Sequence, residues 1–299
     1  MFGIMNMRKY FLTGVCVVAI CCTATAIAET TSSIRYEQGR DDIEGDSRYL
    51  DIDLGLQSNN HIVLGYGNST SQTDTETLES DAYYIGMLTD PYADTATGIT
   101  YTALKEENSF DLDSIRLDLI ANTDDWGFLL SPELRNIDIF ATSTTSTSGQ
   151  GPGNVVTSVS DATISTLSPA LGAVASYYGI DHIYIRAGIT VFSYEKDVTA
   201  LSNRTAFSMR NTSVSTLDQA YGLEDYRALF AAGYNYGAGN IGLRYTRSVS
   251  IIDEATTRTN SFYISYKFND TWRTELTTGR VDDGISESKF VSAALGYHW

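Results

Sequence analysis

The sequence predicts an all-β fold: a transmembrane, antiparallel up-and-down β-barrel of about fourteen strands, with twelve the nearest alternative count. Three observations lead there. Stretches of about ten residues alternate between apolar and polar side chains, as strands with one apolar and one polar face do. Short turns and longer loops take turns along the chain. Beyond the N-terminal segment no apolar run approaches the ~20 residues of a spanning helix, which leaves a closed barrel as the way across a bilayer.

The first 28 residues read as a targeting segment. Arg8 and Lys9 precede an apolar run, Phe11–Cys22, and Ala24, Ala26 and Ala28 follow at cleavage spacing. Cleavage after Ala28 leaves residues 29–299 as a single barrel domain. Cys21 and Cys22 close the run, but Ile20 stands where a lipid-anchoring signal wants a small side chain. Cys16, Cys21 and Cys22 are the only cysteines, so the mature chain has no disulfide framework, thiolate nucleophile or thiolate metal cluster. Acidic residues number 37 against 20 basic ones. A surface so acidic repels phosphates, and nucleic acid is excluded as a partner.

Taken in order, the strands fall near 31–39, 48–57, 61–71, 81–89, 95–105, 111–121 and 126–141. The second half follows near 162–178, 182–195, 225–236, 240–252, 259–268, 271–281 and 289–299. The stretch "YLDIDLGLQ" sets Leu50, Ile52, Leu54 and Leu56 against Asp51, Asp53, Gly55 and Gln57. In "SIRLDLIA", Ile115, Leu117 and Leu119 oppose Arg116 and Asp118. "HIYIRAGITV" and "SFYISYKF" repeat the alternation. Pro132 and Pro169 interrupt neighbouring strands, and the polarity register switches near Asn136-Ile137. A bulge, or strands that continue beyond the membrane, accounts for the switch. The Ser/Thr/Gly-rich stretch 142–161 reads as a flexible loop. The 196–224 loop, with Lys196, Arg204 and Arg210, reads as a surface loop long enough to fold inward instead.

Tryptophan supplies an independent sign: Trp126 and Trp272 begin strands after short turns and Trp299 ends the last. All three, with Tyr297, fall at one rim, where an aromatic girdle belongs. The closing stretch "KFVSAALGYHW" alternates to the final residue, as the last strand of a closed barrel must if it pairs with the first. Ser292, Tyr297 and Trp299 also resemble the C-terminal signature read by the outer-membrane barrel assembly machinery, with Ala294 where glycine is usual. On that signature, the targeting segment and the amphipathic strands, the chain resembles a Gram-negative outer-membrane β-barrel of porin-like type. The resemblance implies residence in the cell outer membrane, contact with its lipid and lipopolysaccharide, and the assembly machinery as a partner.

Chemistry-bearing groups are sparse. His61, His182 and His298 all map to strand ends on the tryptophan rim, where a structural role is the expectation. Hydrolytic sites need a base beside the nucleophile or water, so no catalytic residue, cofactor or metal is expected, and an outer-membrane hydrolase is a distant alternative. With the apolar faces assigned to lipid, Arg35, Arg116, Arg135, Arg186, Arg244, Lys267 and Arg273 point inward as candidate pore-lining residues. Glu37, Asp51, Asp53, Asp118, Glu133 and Glu275 join them. Charges of both signs either set a transverse field for hydrated solutes or brace the wall as cross-strand pairs, Lys267 with Glu275 for example. The expected function is a monomeric channel for small hydrophilic solutes, cation-preferring because of acidic outer loops. The alternative is a non-transporting barrel acting through those loops in adhesion, envelope integrity or partner binding.

Overall fold

A computed structural model describes residues 32–42, 45–56, 60–72, 77–89, 93–106, 110–148, 155–196, 198, 223–251, 254–284 and 287–299. The targeting segment with its cysteines, Arg204 and Arg210 lie outside the described residues. Fourteen strands close into one antiparallel barrel in which every strand pairs with its sequence neighbours and the first with the last.

In chain order they are β1 Ser33–Asp41, β2 Asp46–Gly55, β3 His61–Gln72, β4 Thr77–Leu88 and β5 Thr95–Glu106. Then come β6 Phe110–Asn122, β7 Trp126–Ser148, β8 Val155–Ile180, β9 Ile183–Phe192 and β10 Glu224–Asn235. β11 Gly239–Ser250, β12 Thr256–Lys267, β13 Trp272–Asp282 and β14 Glu287–His298 complete the wall. The predicted strands reappear one for one. Period-two sequences have no choice of face here, because a one-residue slip would turn every apolar side chain inward.

The apolar faces look outward. Ile85, Met87, Ile99, Ile115, Leu243 and Val291 each expose half or more of their surface, whereas Ser261, Ser265 and Ser292 on the other face are buried. Water would penalise such a surface; hydrocarbon does not. Closure extends to the chain ends. β1 pairs with β14 from Ser33↔His298 to Asp41↔Phe290, and the Ser32 and Trp299 backbones exchange two hydrogen bonds of 3.0 Å. The unfrayed C-terminus is a closing seam.

Two expectations are corrected. The 142–161 stretch is not all loop: β7 runs on to Ser148 and β8 starts at Val155, paired without a break through Pro132 and Pro169. Nor is there a bulge at Asn136-Ile137, since the pairing register passes through it unchanged. The polarity switches because Ile137 and Ile139 point inward and are buried there.

Candidate functional site: the barrel lumen

Residues directly opposite one another in an antiparallel register share a face. Tracing partners around the wall sets the thirteen expected inward charges on the face opposite the exposed apolar side chains. What they do there differs from one group to the next.

Arg35 on β1 is a hub. Its guanidinium lies 2.8 Å from Glu37, 3.5 Å from Asp51 and 3.4 Å from Glu275. The hub thereby joins β1, β2 and β13 across the closing seam. Asp51 also accepts a 2.7 Å bond from the Tyr84 hydroxyl. Glu37 is only 1% exposed and faces its partner rather than solvent. Glu275 spends its charge on Arg35, so the expected Lys267–Glu275 pair does not form; the Lys267 ammonium meets Asp270 at the adjoining turn, 3.0 Å away. On the facing wall Arg116 pairs with Asp118 at 3.1 Å, and Asp118 accepts a 2.6 Å bond from Ser131. Glu133 is the direct register partner of Arg116.

A second inward row lies on β9 and β11. Arg186 and Arg244 flank Ala231 of β10 in one row of partners, and among the described residues Arg186 has no ion pair. Arg273 donates to Ser265 at 3.0 Å. Of the thirteen, Arg186, Arg244, Lys267 and Arg273 lie on β9–β13 with Glu275 as the one acid there, β2 carries Asp51 and Asp53, and β1, β6 and β7 each carry one base and one acid.

Aromatic rings on the inner wall do not follow from the polarity pattern. A Cβ at Gly65 would run into the Tyr84 ring, and one at Gly233 into Tyr184. Each ring lies flat on a glycine of the neighbouring strand, in the place a side chain would take. The signal was present in the sequence as glycines and tyrosines on facing strands, but only the register reveals which pairs meet.

The long-loop end of the lumen is apolar. Leu104 on β5, Leu112 on β6, and Ile137 and Ile139 on β7 turn inward and bury Val198, which is 1% exposed. Ile164, Tyr194, Leu223 and Ile251 pack around them. After β9 the chain stays on the β8 edge, with Ser193 and Glu195 N–H donating to Pro169 and Leu167 carbonyls at 2.9 Å. The Lys196 N–H then bonds the inward Thr166 hydroxyl at 3.2 Å, and Val198 follows inside the barrel. Of the 196–224 stretch, the described Lys196 and Val198 thus lie on the inner side of the wall.

Arg135 fastens that turn. Expected as a pore-lining charge, it is instead completely buried. Its guanidinium donates to Ser168 Oγ at 2.7 Å and to Tyr194 Oη at 3.2 Å, and lies 4.1 Å from the centre of the Phe192 ring. The Tyr194 hydroxyl passes the link on to the Glu224 carbonyl at 2.7 Å.

At the short-turn end His61 is buried and its Nδ1 lies 2.7 Å from Asp53 Oδ1. His182 sits in the β8–β9 turn with its ring 5.8 Å from that of Tyr234, and His298 ends β14. Among the described residues no cluster of metal-ligating side chains occurs. Trp126, Trp272 and Trp299 gather at this same rim, with ring centres 4.7 Å from Tyr177, 4.8 Å from Tyr297 and 5.7 Å from Tyr297 respectively.

No protein-family model matches the sequence, and no curated protein resembles it closely enough to count as a relative. Solved structures do resemble the chain. A monoaromatic hydrocarbon channel, CymD, is 10% identical at a TM-score of 0.52, over 92% of this chain and 89% of that one. The KdgM porin in complex with disordered oligogalacturonate is 9% identical at 0.44, over 89% of this chain and 98% of its own. Pseudomonas aeruginosa OccK8 (OprE) is 10% identical at 0.45, over 91% and 99%. The likeness to CymD shows a shared barrel fold, and at this identity it extends no further than the fold.

Proposed function

We propose that this chain is a porin-like channel of the cell outer membrane, a monomeric barrel through which small hydrophilic solutes diffuse. The observation that carries the reading is the inner wall, a closed sheet whose polar face bears partly exposed guanidiniums and carboxylates rather than a filled core. Barrels of ~8 strands are filled by side chains and those of 16–18 leave an aqueous channel, so fourteen strands give a narrow one. The surplus of bases on β9–β13 across from Asp51 and Asp53 on β2 sets a transverse field that favours hydrated, charged solutes. The excess of 37 acidic over 20 basic residues favours cations at the mouth. The same acids suit divalent bridging to lipopolysaccharide, and the aligned C-terminal strand suits recognition by the assembly machinery.

One observation favours a second reading. Val198 and its apolar neighbours narrow the long-loop end of the lumen from the β5–β9 side, so a non-transporting barrel acting through its loops remains the rival. Single-channel conductance of refolded residues 29–299 in a planar bilayer, under a salt gradient, separates the two. Stable steps with a cation-selective reversal potential support the channel. A folded, heat-modifiable barrel that stays electrically silent overturns it.

A further inference from the structure

The two rims of the barrel are finished differently. At the short-turn rim Trp126, Trp272 and Trp299 pack on tyrosines. At the long-loop rim one arc of the outer face is basic. Leu243 and Phe262, both exposed, are direct partners on β11 and β12; Tyr245↔Asn260 follow on the same face, and then Arg247↔Arg258. Arg280 on β13 is the partner of Asn260, and Lys289 on β14 the partner of Arg280. Arg247 and Arg258 thus stand four residues past Leu243 and Phe262, ~13 Å along the strand at ~3.4 Å per residue. On strands tilted ~40° that is a rise of about 10 Å, from the hydrocarbon into the headgroup zone.

Like charges directly opposite one another destabilise a sheet, and here they occur twice on neighbouring strands, Arg247↔Arg258 and Arg280↔Lys289. The second pair is answered from within: Glu287 lies 3.4 Å from Arg280. The first is hardly answered. Arg258 meets Asp282 only at 4.0 Å, with both side chains exposed. Arg247 makes no ion pair among the described residues. Its Nε is buried without a hydrogen-bond partner, and its guanidinium lies 5.8 Å from the centre of the Tyr226 ring. Across the barrel an outward acid is treated otherwise. Asp81 on β4 accepts from the Tyr66 hydroxyl at 2.9 Å and from the Asn68 amide at 3.0 Å, and its register partner is Lys105. In a chain of net charge −17, three guanidiniums on adjoining strands of one lipid-facing patch invite an anion from outside the chain.

We propose that Arg247, Arg258 and Arg280, with the Asn260 amide beside them, form a site on the outer face of the barrel for the phosphate of an outer-leaflet lipid. Each guanidinium presents a fork of N–H donors that matches phosphate oxygens, and the Asn260 amide adds a donor on the membrane side. Leu243 and Phe262 lie beneath the charged group on the same face and offer apolar surface to the acyl chains. That adjacency selects a lipid over a soluble phosphate. The contact is distinct from divalent bridging of lipopolysaccharide by acids, because it uses bases and no metal ion. It rests on the barrel spanning the outer membrane with its long loops outside, and it holds whether or not the lumen conducts.

The test titrates refolded residues 29–299 in neutral detergent micelles with lipid A, the phosphorylated glycolipid of lipopolysaccharide, and follows binding by native mass spectrometry. Heat-modifiability on gels reports the fold. Wild type is expected to bind lipid A about tenfold or more tightly than the same lipid stripped of its phosphates. The double variant R247Q/R258Q should lose that preference while remaining heat-modifiable. R247K/R258K keeps the charge without the fork and should fall between the two. K105Q removes an exposed outward base on β5, away from the arc, and should leave binding as in wild type. EDTA should not release the lipid, and inorganic phosphate should not displace it. The proposal is overturned if the glutamine variant binds lipid A like wild type, if the phosphate-free lipid binds equally well, or if K105Q weakens binding as much. Release by EDTA would return the contact to the acids and a divalent ion, and displacement by inorganic phosphate would make the ligand a soluble anion; either result overturns it. A wild-type chain that never becomes heat-modifiable would refute the membrane-spanning reading beneath the proposal, a failure distinct from all of these.

Discussion

Replacing Arg135 with methionine removes a charged donor from the interior and keeps most of its volume. Two effects compete. Removing a buried ion in favour of a well-packed apolar side chain is often neutral or even favourable for a fold as a whole. The connection at the start of the inward turn, by contrast, loses its hydrogen bond to Tyr194 at 3.2 Å and its stacking at 4.1 Å on Phe192, the last residue of β9. A bond from a charged donor contributes about 1.5–3 kcal/mol, and a desolvated cation over a ring about 1–2 kcal/mol. The barrel is held by fourteen strand pairings that the substitution does not touch, so global stability changes little. The inward turn is held by a handful of contacts, and losing about 3 kcal/mol there raises its released fraction roughly 100-fold, at 1.4 kcal/mol per tenfold.

The consequence is measurable one molecule at a time. Single-channel recordings of R135M should show a larger conductance level, or frequent visits to one, while heat-modifiability on gels stays as in wild type. V198D, which forces a carboxylate among Leu104, Leu112, Ile137 and Ile139, should reach the same level by expelling the segment directly. If both variants conduct like wild type, the segment does not narrow the conducting path. If R135M destroys the barrel itself, Arg135 holds the wall and not the turn, and the reasoning fails at its first step.

Three further outcomes follow from the same geometry. Gly65→Val should displace Tyr84 and break its 2.7 Å bond to Asp51, lowering the free energy of unfolding in urea by about 1–3 kcal/mol; an unchanged midpoint would mean the ring has room elsewhere. Deleting Trp299 removes the paired bonds to Ser32 and the stacking on Tyr297. The folded, heat-modifiable fraction in the outer membrane should then fall while synthesis is unchanged, and an unaffected fraction would separate closure from assembly. Arg35→Gln leaves Glu37, Asp51 and Glu275 without their shared cation. The reversal potential in a salt gradient should move toward stronger cation preference, and a shift the other way would place the hub outside the conducting path.

How much of this was legible beforehand depends on the distance over which each feature is decided. Strand number, strand faces and the common rim of the tryptophans follow from period-two alternation and turn chemistry, which act within about ten residues. A lipid-facing wall adds a constraint on every second position, so Leu243 and Ser261 on paired strands could be assigned to opposite faces from the sequence alone. Partner choice inside the lumen is decided across strands far apart in sequence. Arg35 and Glu275 stand 240 residues apart, and alternation says that both point inward without saying that they meet; Lys267, nearer to Glu275 in sequence, was the natural guess and the wrong one. Arg135 was misplaced for a related reason. Alternation fixed its direction correctly, but whether an inward arginine lines water or lies under a returning segment depends on residues 192–198, beyond the strand's own pattern. The trace of that segment was present all the same. The apolar Ile137 and Ile139 on a face that should have been polar looked like a slip in register, and an unbroken register with apolar residues turned inward means that something apolar must stand inside to meet them.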